Sequence, residues 1–143
     1  MEEDRRAKQS QGKILLMEDD EDIATLIREV ISVEIDCYLY WAARGEDARD
    51  AISEHNFDLV ITDMMVRDFN GFQLIEEAKK MNPQLPIIVI TGAYPNGFDQ
   101  YAKALGIIAY FEKPFSLTQL ASKVRESLTS RFNHSKETIT SAS

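Results

Sequence analysis

Five short apolar runs alternate along the chain with five stretches whose apolar residues return every three or four positions. The runs are Lys13–Met17 (KILLM), Asp36–Ala42 (DCYLYWA), Leu59–Ile61 within Phe57–Met65 (FDLVITDMM), Pro86–Thr91 (PIIVIT) and Ile107–Phe111 (IIAYF). Each is brief, rich in β-favouring residues and bounded by polar or turn residues, which predicts a strand. PIIVIT is nearly continuously apolar, as expected of a strand covered on both faces. Between the runs, Ile23, Leu26, Ile27, Val30 and Ile31 fall on one helical face. Gly45 ends the second strand, and Glu46–Glu54 predicts a short helix turning Ala48, Ala51 and Ile52 inward. After an Asn70-Gly71 turn, Phe72, Ile75, Ala78 and Met81 make a third apolar face, ended by Pro83 and Pro86. Gly92, Pro95, Asn96 and Gly97 mark a loop, and a helix follows from about Phe98 to Leu105, closed by Gly106. Ser116 and Gln119 form a capping-box pattern before a last helix with Leu117, Leu120, Val124 and Leu128 inside. Such alternation implies right-handed crossovers, hence an α/β fold: a five-stranded parallel sheet, doubly wound, with helices on both faces.

The chain ends lie outside this pattern. Residues 1–12 are polar and charged and read as a flexible leader, residues 13–131 as one domain, and the Ser/Thr-rich residues 132–143 as a polar tail or linker stub. A length of 143 residues suits a single domain that buries its core without staples. Net charge is −8, from 24 acids and 16 bases, which argues against a nucleic-acid face on this chain. DNA binding by a partner or a further domain stays open. The single cysteine, Cys37, excludes an internal disulfide and fits a reduced, cytoplasmic setting. Its neighbours Tyr38, Leu39 and Tyr40 predict inert packing. No apolar run approaches the roughly 18 residues of a membrane span, and residues 1–12 contain no signal-peptide h-region. There is no His/Cys cluster for zinc, and His55 and His134 are expected to be exposed and idle.

Charge placement changes the picture more than charge balance does. Glu18, Asp19, Asp20, Glu21 and Asp22 follow the first strand directly. The late acids of this run suit the positive end of the next helix; the early ones fall at the strand's end. The third strand stops at Asp63, the fourth at Thr91, and the fifth runs into Lys113. Carboxyl ends of parallel strands share one edge of the sheet, where ligands bind. Three carboxylates meeting there repel one another unless a cation joins them. An all-oxygen donor set suits Mg2+, which keeps waters and accepts phosphate oxygens. Lys113 and Thr91 add a point charge and a donor for an anion. Carboxylate, metal, lysine and hydroxyl together describe phosphoryl transfer onto the carboxylate.

These residues, in this order, resemble the response-regulator receiver domain of two-component signalling, of the chemotaxis-regulator type. The likeness runs from about Lys13 to Arg131 and rests on Glu18-Asp19-Asp20, Asp63, Thr91 and Lys113-Pro114-Phe115. It implies a flavodoxin-like sheet of order 2-1-3-4-5, with Asp63 as phospho-acceptor from a sensor histidine kinase or phosphotransfer protein. Asp19 would ligate Mg2+ directly, Glu18 through water, and the Met65 backbone carbonyl would be a further ligand. Lys113 would contact a phosphoryl oxygen, across a peptide bond to Pro114 that is typically cis in the family. Thr91 would turn its hydroxyl to the phosphoryl group, and Tyr110 matches the switch aromatic that packs inward in the active state. The helix from Phe98, the strand holding Tyr110 and the last helix would form the output face, through which many members form homodimers. Two departures stand out. Arg67 replaces a usual proline, so its loop is expected to be more mobile or to face a partner. Met65 and Ala93, at positions that tune hydrolysis, cannot hydrogen-bond a water through their side chains, which predicts slow to intermediate dephosphorylation.

Other readings of the same residues are weaker together than apart. Taken alone, the acid run suits a solvated helix start, Thr91 an ordinary strand residue, Tyr110 and Trp41 packing aromatics. A flavodoxin-type electron carrier shares the sheet but would need a phosphate loop where this chain has five acids. An aspartyl-phosphate hydrolase usually carries its nucleophile on the first strand with a second Asp two residues on; here Met65 follows Asp63. A degenerate receiver serving as a phosphorylation-independent interaction module is the remaining alternative.

Overall fold

A computed structural model describes residues 12–66 and 69–142, with side chains to residue 130. Arg67 lies outside the described residues, as do residues 1–11 and the side chain of His134. Five strands, β1 (Lys13–Met17), β2 (Tyr38–Ala42), β3 (Leu59–Asp63), β4 (Ile87–Thr91) and β5 (Ile107–Glu112), form one parallel sheet of order β2-β1-β3-β4-β5. Five helices connect and follow them: α1 (Glu21–Glu34), α2 (Gly45–Glu54), α3 (Gly71–Met81), α4 (Phe98–Leu105) and α5 (Leu117–Ala142). This is the doubly wound, flavodoxin-like arrangement expected from the sequence.

Side chains alternate across the sheet, so each central strand supplies two cores. Leu15, Met17, Val60 and Val89 pack with Ala48, Leu74, Ile75, Ala78 and Ala102 on one side. Ile14, Leu16, Ile61 and Ile88 pack with Ala24, Ile27, Ile31, Leu120 and Val124 on the other. Covering on both faces is why KILLM and PIIVIT lack polar alternation.

Register brings the strand ends level. Met17 pairs with Thr62, so Glu18 falls beside Asp63. Asp63 pairs with Ile90, one residue before Thr91, and Thr91 pairs with Glu112, one residue before Lys113.

Helix faces differ from the expected ones in detail. The buried stripe of α1 is Ala24, Ile27 and Ile31, while Leu26 is 49% exposed. In α3 the stripe is Leu74, Ile75 and Ala78, and Met81 is 59% exposed. Leu26 points well away from the centre of the α1 stripe, whereas Met81 lies near the line of Leu74 but is the last residue of α3, where the helix leaves the core. The α5 backbone stays helical to Ala142, past Arg131, where the apolar pattern stops.

Beyond β3 the chain makes a small antiparallel hairpin, with Met65 opposite Asn70 and Val66 opposite Phe69. Asn70 then caps α3, its side chain accepting the Phe72 N–H at 2.9 Å. Gly71 lets this helix start directly against the strand end. A Cβ there would lie 2.7 Å from Met64 Cα and 2.8 Å from the Asp63 carbonyl oxygen. No side chain fits between them, so the backbone after Asp63 is seated on the head of α3.

Candidate functional site

The acid run divides by function of position. Asp20 is the α1 N-cap, accepting the N–H groups of Asp22 and Ile23 at 2.9 and 3.2 Å. Glu21 and Asp22 occupy the first helical turn, where the helix dipole favours them. Glu18 and Asp19 remain at the sheet edge, Glu18 fully buried and Asp19 exposed. Both backbone groups of Glu18 are tied to β2: its N–H donates to the Ala42 carbonyl at 3.2 Å, and its carbonyl accepts from Trp41 Nε1 at 2.9 Å. Its Oε2 accepts the Asp20 N–H at 3.2 Å.

Asp63, 3% exposed, closes β3. Its Oδ1 accepts the Met65 N–H at 2.9 Å, so the hairpin orients the carboxylate through its first residue. Lys113 Nζ donates to Asp63 Oδ2 at 2.7 Å and lies 2.7 Å from Glu18 Oε1. The Asp63 contact has hydrogen-bond alignment; the Glu18 contact is an ion pair without it, leaving buried Oε1 lacking an aligned donor among the described residues. The Lys113 N–H donates to the Thr91 carbonyl at 2.8 Å, and the Lys113-Pro114 peptide is cis. Thr91 is fully buried, and its hydroxyl donates to the Ala93 carbonyl at 3.4 Å.

Electrostatics follow from this crowding. Burial pushes the Glu18 carboxyl up to about 7, with the Asp63 charge adding to the rise; Lys113 and the Asp20 N–H only partly oppose it. For Lys113, burial pulls the ammonium down, but the two carboxylates outweigh it and the net shift is upward. Carboxylate oxygens of Glu18, Asp19 and Asp63 lie within 4.8 Å of one another. One lysine faces the carboxylates of Glu18, Asp19 and Asp63, and among the described residues Glu18 Oε1 has no aligned donor. This all-oxygen set therefore fits a hard divalent cation such as Mg2+.

The structure gathers Glu18, Asp19, Asp63, Lys113 and Thr91 at one edge. Met65 joins through its N–H. Tyr110 lies apart on β5, 42% exposed, its hydroxyl donating to the Asp99 carboxylate of α4. Its ring packs edge-on against Tyr94 at 5.0 Å and Phe98 at 5.2 Å. Sequence reasoning missed Asp99 and Tyr94 as partners of Tyr110, and it took Trp41 for packing alone. The signal for Trp41 was its place at the end of a strand beside β1. His55 is exposed, as expected, with its ring 6.0 Å from Tyr40 and 6.1 Å from Phe57. Cys37 is half-buried, and burial, with the Asp36 charge adding to it, pushes its thiol up to about 11, away from the thiolate form. Among the described residues, no helix is long and apolar enough to cross a membrane.

Comparison with known proteins places these features in context. Residues 14–125 match the family model described as the response regulator receiver domain. The chain is 28% identical over 121 residues to the sporulation initiation phosphotransferase F of Bacillus subtilis (strain 168), covering 85% of this chain and 97% of that protein. It is 31% identical over 113 residues to the transcriptional regulatory protein RprY of Bacteroides fragilis (strain YCH46), covering 78% of this chain but only 47% of the relative. Among solved structures, a CheY-like receiver domain protein from Methanospirillum hungatei JF-1 superposes with a TM-score of 0.78 at 25% identity, over 85% of this chain and 97% of that one.

Proposed function

The chain belongs to the response regulator receiver domain family of two-component signalling, and on that premise we propose that Asp63 accepts a phosphoryl group from a sensor histidine kinase or phosphotransfer protein. The observation that carries this reading is the bridge of Lys113 between Asp63 and Glu18, at 2.7 Å to each. In the transfer, a carboxylate oxygen of Asp63 forms a bond to phosphorus as the bond from phosphorus to the donor nitrogen breaks. Negative charge then develops on the phosphoryl oxygens. Lys113 is placed to follow that charge, held by its backbone bond to Thr91 and by the strand register. Glu18, Asp19 and Asp63, with the Met65 carbonyl, would hold Mg2+. When bound, the ion supplies charge neutralisation and a template for the phosphoryl oxygens.

The new anion competes for the groups around it. Thr91, whose hydroxyl rests on the Ala93 carbonyl at 3.4 Å, a long bond, can turn to the phosphoryl group at small cost. Space left by that turn admits Tyr110, at the expense of its bond to Asp99. The α4-β5-α5 face thereby reports the state of Asp63 to a partner. Ile108 and Tyr110, 39% and 42% exposed on the β5 edge, also suit this face to pairing with a second copy. Hydrolysis is slow to intermediate, because the Met65 side chain, 73% exposed, and Ala93 offer no hydrogen bond to an attacking water. On this reading the protein is a cytoplasmic phospho-acceptor that assists its own chemistry and turns over no diffusible substrate.

Beryllofluoride with Mg2+ mimics the acyl phosphate and tests the switch. The amide resonances of Thr91, Tyr110 and the α4 residues are expected to shift on its addition, and Asp63→Ala is expected to abolish the response. An unchanged spectrum in the wild type favours the phosphorylation-independent interaction module instead.

A further inference from the structure

Trp41 is the chain's only tryptophan. It sits near the end of β2, in register with Leu16 of β1, and its ring packs against the core between the sheet and α1. Packing alone would be served by any large aromatic. The indole N–H, however, donates at 2.9 Å to the carbonyl of Glu18. That carbonyl belongs to the peptide joining Glu18 to Asp19, so the bond sets the plane from which both acidic side chains depart. The Glu18 N–H is already held by Ala42 at 3.2 Å. With both its flanking peptides anchored to β2, Glu18 has little freedom to reorient, and Asp19 is carried with it. The ring is itself held: the Arg28 guanidinium of α1 lies 5.4 Å from its centroid.

We propose that Trp41 is a positioning residue for the cation-binding acids, its indole N–H fixing the Glu18–Asp19 peptide so that the two carboxylates converge with Asp63. The inference rests on the Mg2+ site described above. It adds an outer member that contacts no substrate and acts on the site only through a backbone carbonyl. Outer partners of this kind orient ligands and raise affinity by pre-organisation. A phenylalanine would keep the packing and leave the buried Glu18 carbonyl without its donor.

The test uses the full chain labelled with 15N. A single tryptophan gives one indole N–H resonance, and Mg2+ titration of the wild type is expected to shift it with the half-saturation measured by calorimetry. Trp41→Phe is expected to weaken Mg2+ about fivefold, the worth of one neutral hydrogen bond, while the protein stays folded. Arg28→Ala keeps the indole but frees its ring, and is expected to weaken Mg2+ about twofold and to move the starting position of the resonance. An unchanged Mg2+ affinity in Trp41→Phe overturns the proposal. If that variant does not fold, an indole resonance unmoved by Mg2+ in the wild type overturns it. Asp19→Asn separates the two levels of argument. If Mg2+ binds wild type and Asp19→Asn alike, the metal site itself is misplaced and the role of Trp41 falls with it. If Asp19→Asn loses Mg2+ and Trp41→Phe does not, only the positioning role fails.

Discussion

Replacing Lys113 with methionine is expected to slow phosphorylation of Asp63 by acetyl phosphate about a hundredfold, the usual cost of removing one pre-placed charge from a developing oxyanion, while tightening Mg2+ binding. The two effects are expected to have opposite signs because, on the proposed mechanism, the ammonium plays opposite parts before and during transfer. Before transfer it lies 2.7 Å from both Glu18 and Asp63 and cancels part of the charge that would attract a cation. Taking it away deepens the negative potential at the three acids. In the proposed transfer it would be the cation facing the phosphoryl oxygens, and with 21% of its side chain exposed it would be poorly replaced by water. Methionine keeps the length of the side chain and removes the charge. Initial rates from intact-mass spectrometry, alongside a calorimetric Mg2+ titration, check both halves. A rate within a few-fold of the wild type, or a weaker Mg2+ affinity, contradicts this role.

Glu18→Gln is expected to make the Mg2+-free protein more stable at pH 8, with a gain that disappears towards pH 4.5. Burial raises the Glu18 carboxyl from an ordinary 4.5 to about 7 in the folded chain. Between those values the unfolded chain gives up the proton while the folded chain keeps it. Folding stability therefore falls as pH rises through this window and levels off above it. The full penalty at pH 8 is on the order of 3 kcal/mol, from about 1.4 kcal/mol per tenfold shift. Glutamine recovers only part of it, because Lys113 also loses a partner. A gain of about 1–2 kcal/mol corresponds to roughly 3–6 °C in melting temperature. Lys113 is shifted upward, so its contribution holds at lower pH and fades only above the ordinary lysine range, outside this window. Thermal melts in EDTA at several pH values check the slope. Saturating Mg2+ should stabilise the wild type more than the variant. A lower melting temperature for Glu18→Gln at pH 8 without Mg2+ would show that the carboxylate is a net stabiliser.

What the sequence allowed to be read depended on how local the cause was. Strands β1, β3 and β4 were legible because burial on both faces leaves continuous apolar runs such as IIVI. The candidate site was legible because every strand end but that of β2, which closes on Ala42, placed a polar group where an apolar one would serve the core. Helix faces were less secure. Leu26 and Met81 fall near an apolar stripe, yet only the packing partners decide where that stripe is centred, and Ala24 and Leu74 took the buried places. Non-local facts were out of reach. The bond from Trp41 to Glu18 depends on the β1–β2 register, the contact of Tyr110 with Asp99 on how α4 lies along β5, and the need for glycine at position 71 on how closely α3 approaches Met64. Asn70-Gly71 announced a turn, but its consequence is a helix with no room for a Cβ against the end of the strand that carries Asp63.

The central claim is that Asp63 is a Mg2+-dependent phospho-acceptor, and covalent labelling tests it most directly. Wild type, Asp63→Asn and wild type in EDTA are each incubated with acetyl phosphate and followed by intact-mass spectrometry. One phosphoryl group should appear on the wild type with Mg2+, with little or none on the other two samples. Equal labelling of wild type and Asp63→Asn would contradict the account.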